Sequence, residues 1–166
     1  MAGSRETARG PSSRRRAARR RRGGRPALSG CADGAPPDRT GELASQLEER
    51  AGGGTSVSPP LAEVAGAPGG SALVIVCPYA TQEAVDEAVR AVSPEARPPR
   101  LATDSDGEAH WLWVAAGGDA TAWRVERTTD ACGAGGHPTV TYAAGSTLEL
   151  AASDGRWTIA APTPAG

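Results

Sequence analysis

The chain has no Lys and no Phe, only two His and two Tyr, and a single Met among 166 residues. Without Lys there is no amine to form a Schiff base, so that branch of covalent catalysis is excluded. No uninterrupted apolar stretch reaches the length needed to cross a bilayer as a helix, which excludes a multi-pass membrane protein. The two His, His110 and His137, stand far apart, and none of the three Cys belongs to a CxxC pair. The usual paired spacing of a zinc site is therefore missing. No internal repeat is present.

What the chain has in excess is Gly (22), Pro (14) and Arg, and the Arg are unevenly placed. Ten precede Cys31 against one acid, Glu6, a balance of +9. From Cys31 onward there are eight Arg and eighteen acids, a balance of −10. The overall charge of −1 thus conceals two oppositely charged pieces. The length suits one domain with unstructured ends.

Residues 1–30 hold Arg14 to Arg16 and Arg19 to Arg22 among Gly, Ser, Pro and Ala, with nothing apolar at helical or strand spacing. Such a segment cannot bury enough surface to order itself. One reading is a disordered basic arm that neutralises phosphates of nucleic acid in a cytoplasmic protein. No aromatics interleave with these Arg, so base stacking has no support. The other reading starts at Leu28-Ser29-Gly30-Cys31, which resembles a bacterial lipobox, where cleavage before the Cys is coupled to its lipidation. A basic region before it and Asp33 with a Gly/Pro-rich stretch after it agree with that reading. The apolar core of a signal peptide is missing, since only Gly23 to Gly30 separate Arg22 from Cys31. The bias toward Ala, Gly, Pro and Arg is that of a GC-rich genome. A mis-started or frame-shifted leader, with the true frame resuming near Pro26, reconciles the two observations.

Residues 31–70 read as a flexible tether carrying one short helix. Leu43 and Leu47 stand at i and i+4, Thr40 is placed to cap, and Gly52 to Gly54 breaks the helix. Alone it is marginal in water. Leu61 and Val64 are placed to dock on the edge of the domain.

Residues 71–163 read as a small α+β domain, one helix on a mostly antiparallel sheet of five to six strands. Leu73-Val74-Ile75-Val76 is a buried, central strand. Thr81 offers a cap for a helix over Gln82 to Val92, with Val85, Val89 and Val92 on one face and an Asp86–Arg90 pair on the other. Trp111 to Arg127 predicts a hairpin turning at Gly117-Gly118-Asp119. Further strands follow at Pro138 to Ala143, Ser146 to Ala152 and Arg156 to Ala161. The four Trp carry much of the buried area.

Cys77 and Cys132 each sit at the end of a predicted strand. In an exported protein they form one disulfide; in a cytosolic one they remain reduced and buried. Four chemical alternatives lack a supporting pattern. A zinc site from Cys77, Cys132 and His137 has no paired spacing. A Cys77/His pair has no local signature. Asp104 to Glu108 has Ala109 and Ala115 where a calcium loop needs Gly and Glu. Gly133-Ala134-Gly135-Gly136 lacks the Lys-Ser/Thr that follows a phosphate loop. No catalytic residue, metal or cofactor is assigned, and the Pro78-Tyr79 step is the candidate binding edge.

Leu73-Val74-Ile75-Val76-Cys77-Pro78-Tyr79-Ala80-Thr81, then an acidic helix and the Trp111 to Arg127 hairpin, resembles a loose group of small bacterial lipoproteins of actinobacterial type. The likeness runs from about Leu61 to Arg127. The sequence departs from that group in having Gly70-Ser71 where a Trp-Asp pair is expected, and in the missing apolar part of the signal. The resemblance implies an extracytoplasmic, membrane-anchored protein, held by a lipid on Cys31 and binding an envelope protein or ligand, and implies no activity.

Overall fold

The computed structural model describes residues 35–160, apart from 105, 119, 134 and 135. The Arg-rich arm and Cys31 lie outside the described residues. The order is α1 (Thr40–Ala51), β1 (Ser56–Val57), a 3-10 turn (Leu61–Glu63), β2 (Ala72–Val76), α2 (Gln82–Val92), β3 (Glu108–Val114), β4 (Ala120–Glu126), β5 (Thr129–Asp130), β6 (Thr139–Tyr142), β7 (Leu150–Ser153) and β8 (Arg156–Ile159). The class is α+β. The expected single sheet is two four-stranded sheets, ordered β4-β3-β2-β6 and β1-β7-β8-β5. All pairings are antiparallel except β5 with β8.

β2 is central and buried along its whole length because both of its faces are covered. Val74 and Val76 join Leu112 and Val114 of β3 under Val85 and Val89 of α2. Leu73 and Ile75 face the other way, into a second core with Trp111, Trp113, Trp123 and Tyr142. The second sheet closes that core with Val57, Leu150, Trp157 and Ile159, and α1 closes it with Leu43 and Leu47. A continuous apolar run at β2 and an alternating one at β8 are the signatures of two-sided and one-sided burial. Trp113 and Trp123 pack with ring centroids 5.0 Å apart and planes tilted by 58°. Such pairs add roughly 0.5–1.5 kcal/mol beyond their burial.

α2 has the expected bounds, and the Thr81 hydroxyl accepts from the Ala84 amide at 3.2 Å. α1 forms where expected and ends at Gly52 in the left-handed conformation. Its cap differs. Thr40 lies inside the helix and its hydroxyl accepts from the Glu126 amide at 2.9 Å, while Asp38 accepts from the Thr40 amide. The side chain that looked like a local cap is taken by a long-range partner.

The stretch read as a flexible tether is largely part of the domain. Leu43, Leu47, Val57, Leu61 and Val64 are all buried. Gln46 fastens α1 to the following segment, donating to the Glu63 carbonyl (2.7 Å) and accepting from the Ala65 amide (3.0 Å). Arg50 pairs with Glu63 at 2.9 Å. A narrow apolar stripe is marginal in isolation but sufficient once two sheets offer it a core. The chain is already paired at Pro37 to Arg39, where Arg124 of β4 donates to the Pro37 carbonyl and accepts from the Arg39 amide. That pairing covers the outer edge of β4.

Candidate functional site: a strained turn and an adjoining charged cleft

β2 leaves the core at Val76, and the next four residues turn back toward α2. Ala80 N–H donates to the Cys77 carbonyl at 3.2 Å. Pro78 stands at the second position, and Tyr79 at the third has φ of 61°. Pro followed by a positive φ is the pattern of a type II turn, whose third position ordinarily belongs to Gly or Asn. A Tyr held there costs about 1–2 kcal/mol.

The surroundings hold the turn in place. The Cys77 amide donates to the Pro138 carbonyl, and the Tyr79 amide donates to the Thr103 carbonyl. The Thr103 hydroxyl donates to the Ala80 carbonyl at 2.9 Å. The next residue, Thr81, caps α2. The consequence is that Tyr79 projects into solvent with 61% of its surface exposed, the one large hydrophobic side chain so exposed among the described residues. The neighbouring carboxylate of Asp106, and more weakly that of Asp104, raise the Tyr79 phenol above its ordinary range.

Cys77 and Cys132 form a disulfide with Cα atoms 5.6 Å apart. It ties the end of β2 to the chain just beyond β5, and so joins the two sheets. Cys77 is buried and Cys132 half-buried. Asp130 supports this junction from the other side. Its Oδ1 accepts from the Cys132 amide and its Oδ2 from Arg127 Nη2, both at 2.7 Å. Burial opposes ionisation of Asp130, but these two bonds together hold its carboxyl below the ordinary range.

Beside the turn lies a cleft of about 330 Å³ lined by Asp106, Gly107, Glu126, Arg127, Thr128 and Arg156. It marks the seam where the chain leaves the open end of the β3–β4 hairpin and enters the second sheet. The Arg127 amide donates to the Gly107 carbonyl, and the Trp157 amide to the Thr128 carbonyl. Asp106 belongs to this lining and acts on the Tyr79 phenol.

The remaining candidates separate. With both sulfurs in the disulfide, neither Cys77 nor Cys132 presents a thiol for catalysis or a thiolate for zinc. His110 lies on the α2 face of β3, opposite Val76 and Arg124, and is 5% exposed. Burial lowers its pKa, so it is neutral. His137 is exposed at the bend before Pro138. Among the described residues no cluster of three or more metal-ligating side chains occurs, and no helix is long and apolar enough to cross a membrane.

Pro78 and Tyr79 are thus brought beside Cys77 and Cys132 at one corner of the molecule. The charged cleft next to them was not visible in the sequence, because its lining comes from three segments spread over fifty residues. The chain matches no family model, and neither the curated proteins nor the solved structures compared with it give a match.

Proposed function

We propose that the protein is a non-catalytic binding module of the cell envelope, anchored to the outer face of the membrane by a lipid on Cys31, with the Tyr79 turn as its recognition element. The observation that carries this reading is the Cys77–Cys132 disulfide. Structural disulfides belong to oxidising compartments and are rare in the cytosol. The lipobox-like Leu28-Ser29-Gly30-Cys31 accounts for the third cysteine, and the −10 balance of the chain from Cys31 onward keeps such a module soluble. A rigid, solvent-facing Tyr is the side chain most often used as a recognition anchor, since it offers a large contact area at little entropic cost. No partner is specified beyond an envelope protein or ligand meeting that corner.

On this reading the anchor is short. Chain pairing begins at Pro37, which leaves six residues after Cys31 to reach it. At roughly 3.3–3.6 Å per residue, they span at most about 22 Å. On this reading the domain sits close to the bilayer, on the β4-edge side, and is not suspended at a distance.

Fractionation of the native protein combined with intact-mass analysis tests the proposal. Processing at Cys31, an added lipid mass and recovery in the membrane fraction are expected, with loss of that localisation in Cys31→Ser. An unmodified chain in the soluble fraction with free thiols at positions 77 and 132 overturns it. Salt-sensitive retention on DNA or RNA, abolished by deleting residues before Pro26, would establish the cytoplasmic alternative instead.

A further inference from the structure

The cleft beside Tyr79 has an unusual charge arrangement. Four ionisable side chains line it. Arg127 is answered by Asp130 at 2.7 Å, and the Asp106 carboxylate acts on the nearby Tyr79 phenol. The other two are Glu126 and Arg156. Among the described residues neither has an oppositely charged group within 4.0 Å, although the charge of Arg156 acts on Asp130 at longer range. They belong to different sheets, Glu126 closing β4 and Arg156 opening β8, and both are exposed.

Glu126 is also badly placed for a residue with a purely structural role. It stands directly opposite Glu108 in the β3–β4 register. Like charges facing each other across strands are destabilising. The nearby cation relieves it only from the Glu108 side: Arg124 points its Nε to Glu108 (3.5 Å) and its Nη2 to Asp38 (3.5 Å), and makes no ion pair with Glu126. A positive group entering the cleft would neutralise Glu126, and a negative group would neutralise Arg156. The volume, about 330 Å³, falls at the small end of the range for small-molecule sites.

We infer that this cleft binds a small zwitterion, a molecule with an ammonium at one end and a carboxylate at the other, of free amino-acid or short-peptide type. The carboxylate pairs with Arg156, whose planar guanidinium suits a bidentate contact. The ammonium pairs with Glu126. Thr128, exposed in the same lining, adds a polar residue. The inference depends only on the seam between the sheets and stands whether or not the chain is lipid-anchored.

The test is an NMR titration of the full, isotope-labelled chain with glycine, triglycine, acetate and ethylammonium. Glycine and triglycine separate the amino-acid source from the peptide source by the spacing of their charges. One of them is expected to give saturable shifts at Gly107, Glu126 to Thr128 and Arg156, with acetate and ethylammonium each at least about tenfold weaker. Arg156→Gln and Glu126→Gln each lower the affinity about tenfold; Glu126→Asp, which keeps the charge and guards against a folding defect, retains most of it, and Arg156→Lys, which keeps the charge but loses the bidentate fork, retains part of it. Three results overturn the inference: acetate binding as well as the zwitterions with Glu126→Gln silent, no saturation by about 10 mM of any probe, or shifts confined to the Arg-rich arm. None of these bears on lipidation at Cys31, so the two readings fail separately.

Discussion

The Cys77–Cys132 disulfide joins the end of β2, in the first sheet, to the chain immediately after β5, in the second. The segment it closes, 55 residues in sequence separation, contains α2 and the β3–β4 hairpin. In the chain-entropy model a loop of that size contributes about 4 kcal/mol by restricting the unfolded chain. Replacing both cysteines by Ser is therefore expected to lower the unfolding free energy by about 2–4 kcal/mol. Denaturant unfolding with and without reductant checks it: reductant should weaken the wild type and leave the double variant unchanged.

Tyr79 occupies a backbone conformation suited to Gly, and its side chain is mostly in solvent. Removing the side chain loses little burial and relieves the strain. Tyr79→Gly should hold or raise the thermal midpoint, by an amount equivalent to at most about 1 kcal/mol, because the added freedom of the unfolded chain offsets part of the gain. Tyr79→Val, β-branched and equally exposed, should lower it. If the turn is a recognition element, the glycine variant is the one that loses binding while keeping the fold. A large loss of stability in Tyr79→Gly would show that the ring packs rather than projects.

Gly66 makes a different case. Its φ is 76°, and a Cβ there would lie 2.8 Å from Arg39 Nη2 and 3.6 Å from Trp123. The Arg39 guanidinium lies over the Trp123 ring, 5.2 Å from its centroid, and is paired with Glu42. Gly66→Ala is expected to destabilise by about 1–2 kcal/mol, from the left-handed backbone together with displacement of Arg39 from the ring. Adding Arg39→Ala separates the parts. The steric portion of the Gly66→Ala cost should vanish in that background while the backbone portion persists, a coupling that a double-mutant cycle reads directly.

The parts of the fold legible in the sequence are those where burial imposes a period. Val85 and Val89 at helical spacing, the alternation around Trp123 and Val125, and the unbroken Leu73 to Val76 run each state which faces are covered. β1 and β5, two residues each, have no period to detect and exist only because β7 and β8 present ladders to them. α1 was visible as a helix but not as a core element, since Leu43 and Leu47 say that one face is apolar without saying what meets it. The turn at Pro78-Tyr79 was legible as an edge. The cleft was not, because Asp106, Glu126 and Arg156 share no local pattern and meet only where the two sheets join.

Three buried or paired groups each set a window of pH-dependent stability. His110 has its pKa lowered from 6.5 by burial, so the folded protein prefers the neutral ring. Stability is full above pH 6.5 and declines as the pH falls toward the folded value, because the unfolded chain takes up the proton first. Asp130 behaves in the same direction in a lower window: its carboxyl is held below 3.8, so its contribution is present above that value and is lost as the pH drops through the folded one. Tyr142 is opposite in sign. Burial pushes its phenol from 10.0 to about 12, and its hydroxyl donates to the Ala160 carbonyl at 2.8 Å. The folded state keeps this proton while the unfolded chain releases it, so stability is full below pH 10 and falls between pH 10 and about 12. His110→Gln should flatten the first decline, Asp130→Asn the second and Tyr142→Phe the alkaline one, each measured as unfolding free energy against pH. A wild-type profile that stays level from pH 7 to 5 would mean that His110 is protonated as easily in the folded chain as in the unfolded, and would remove it from the core.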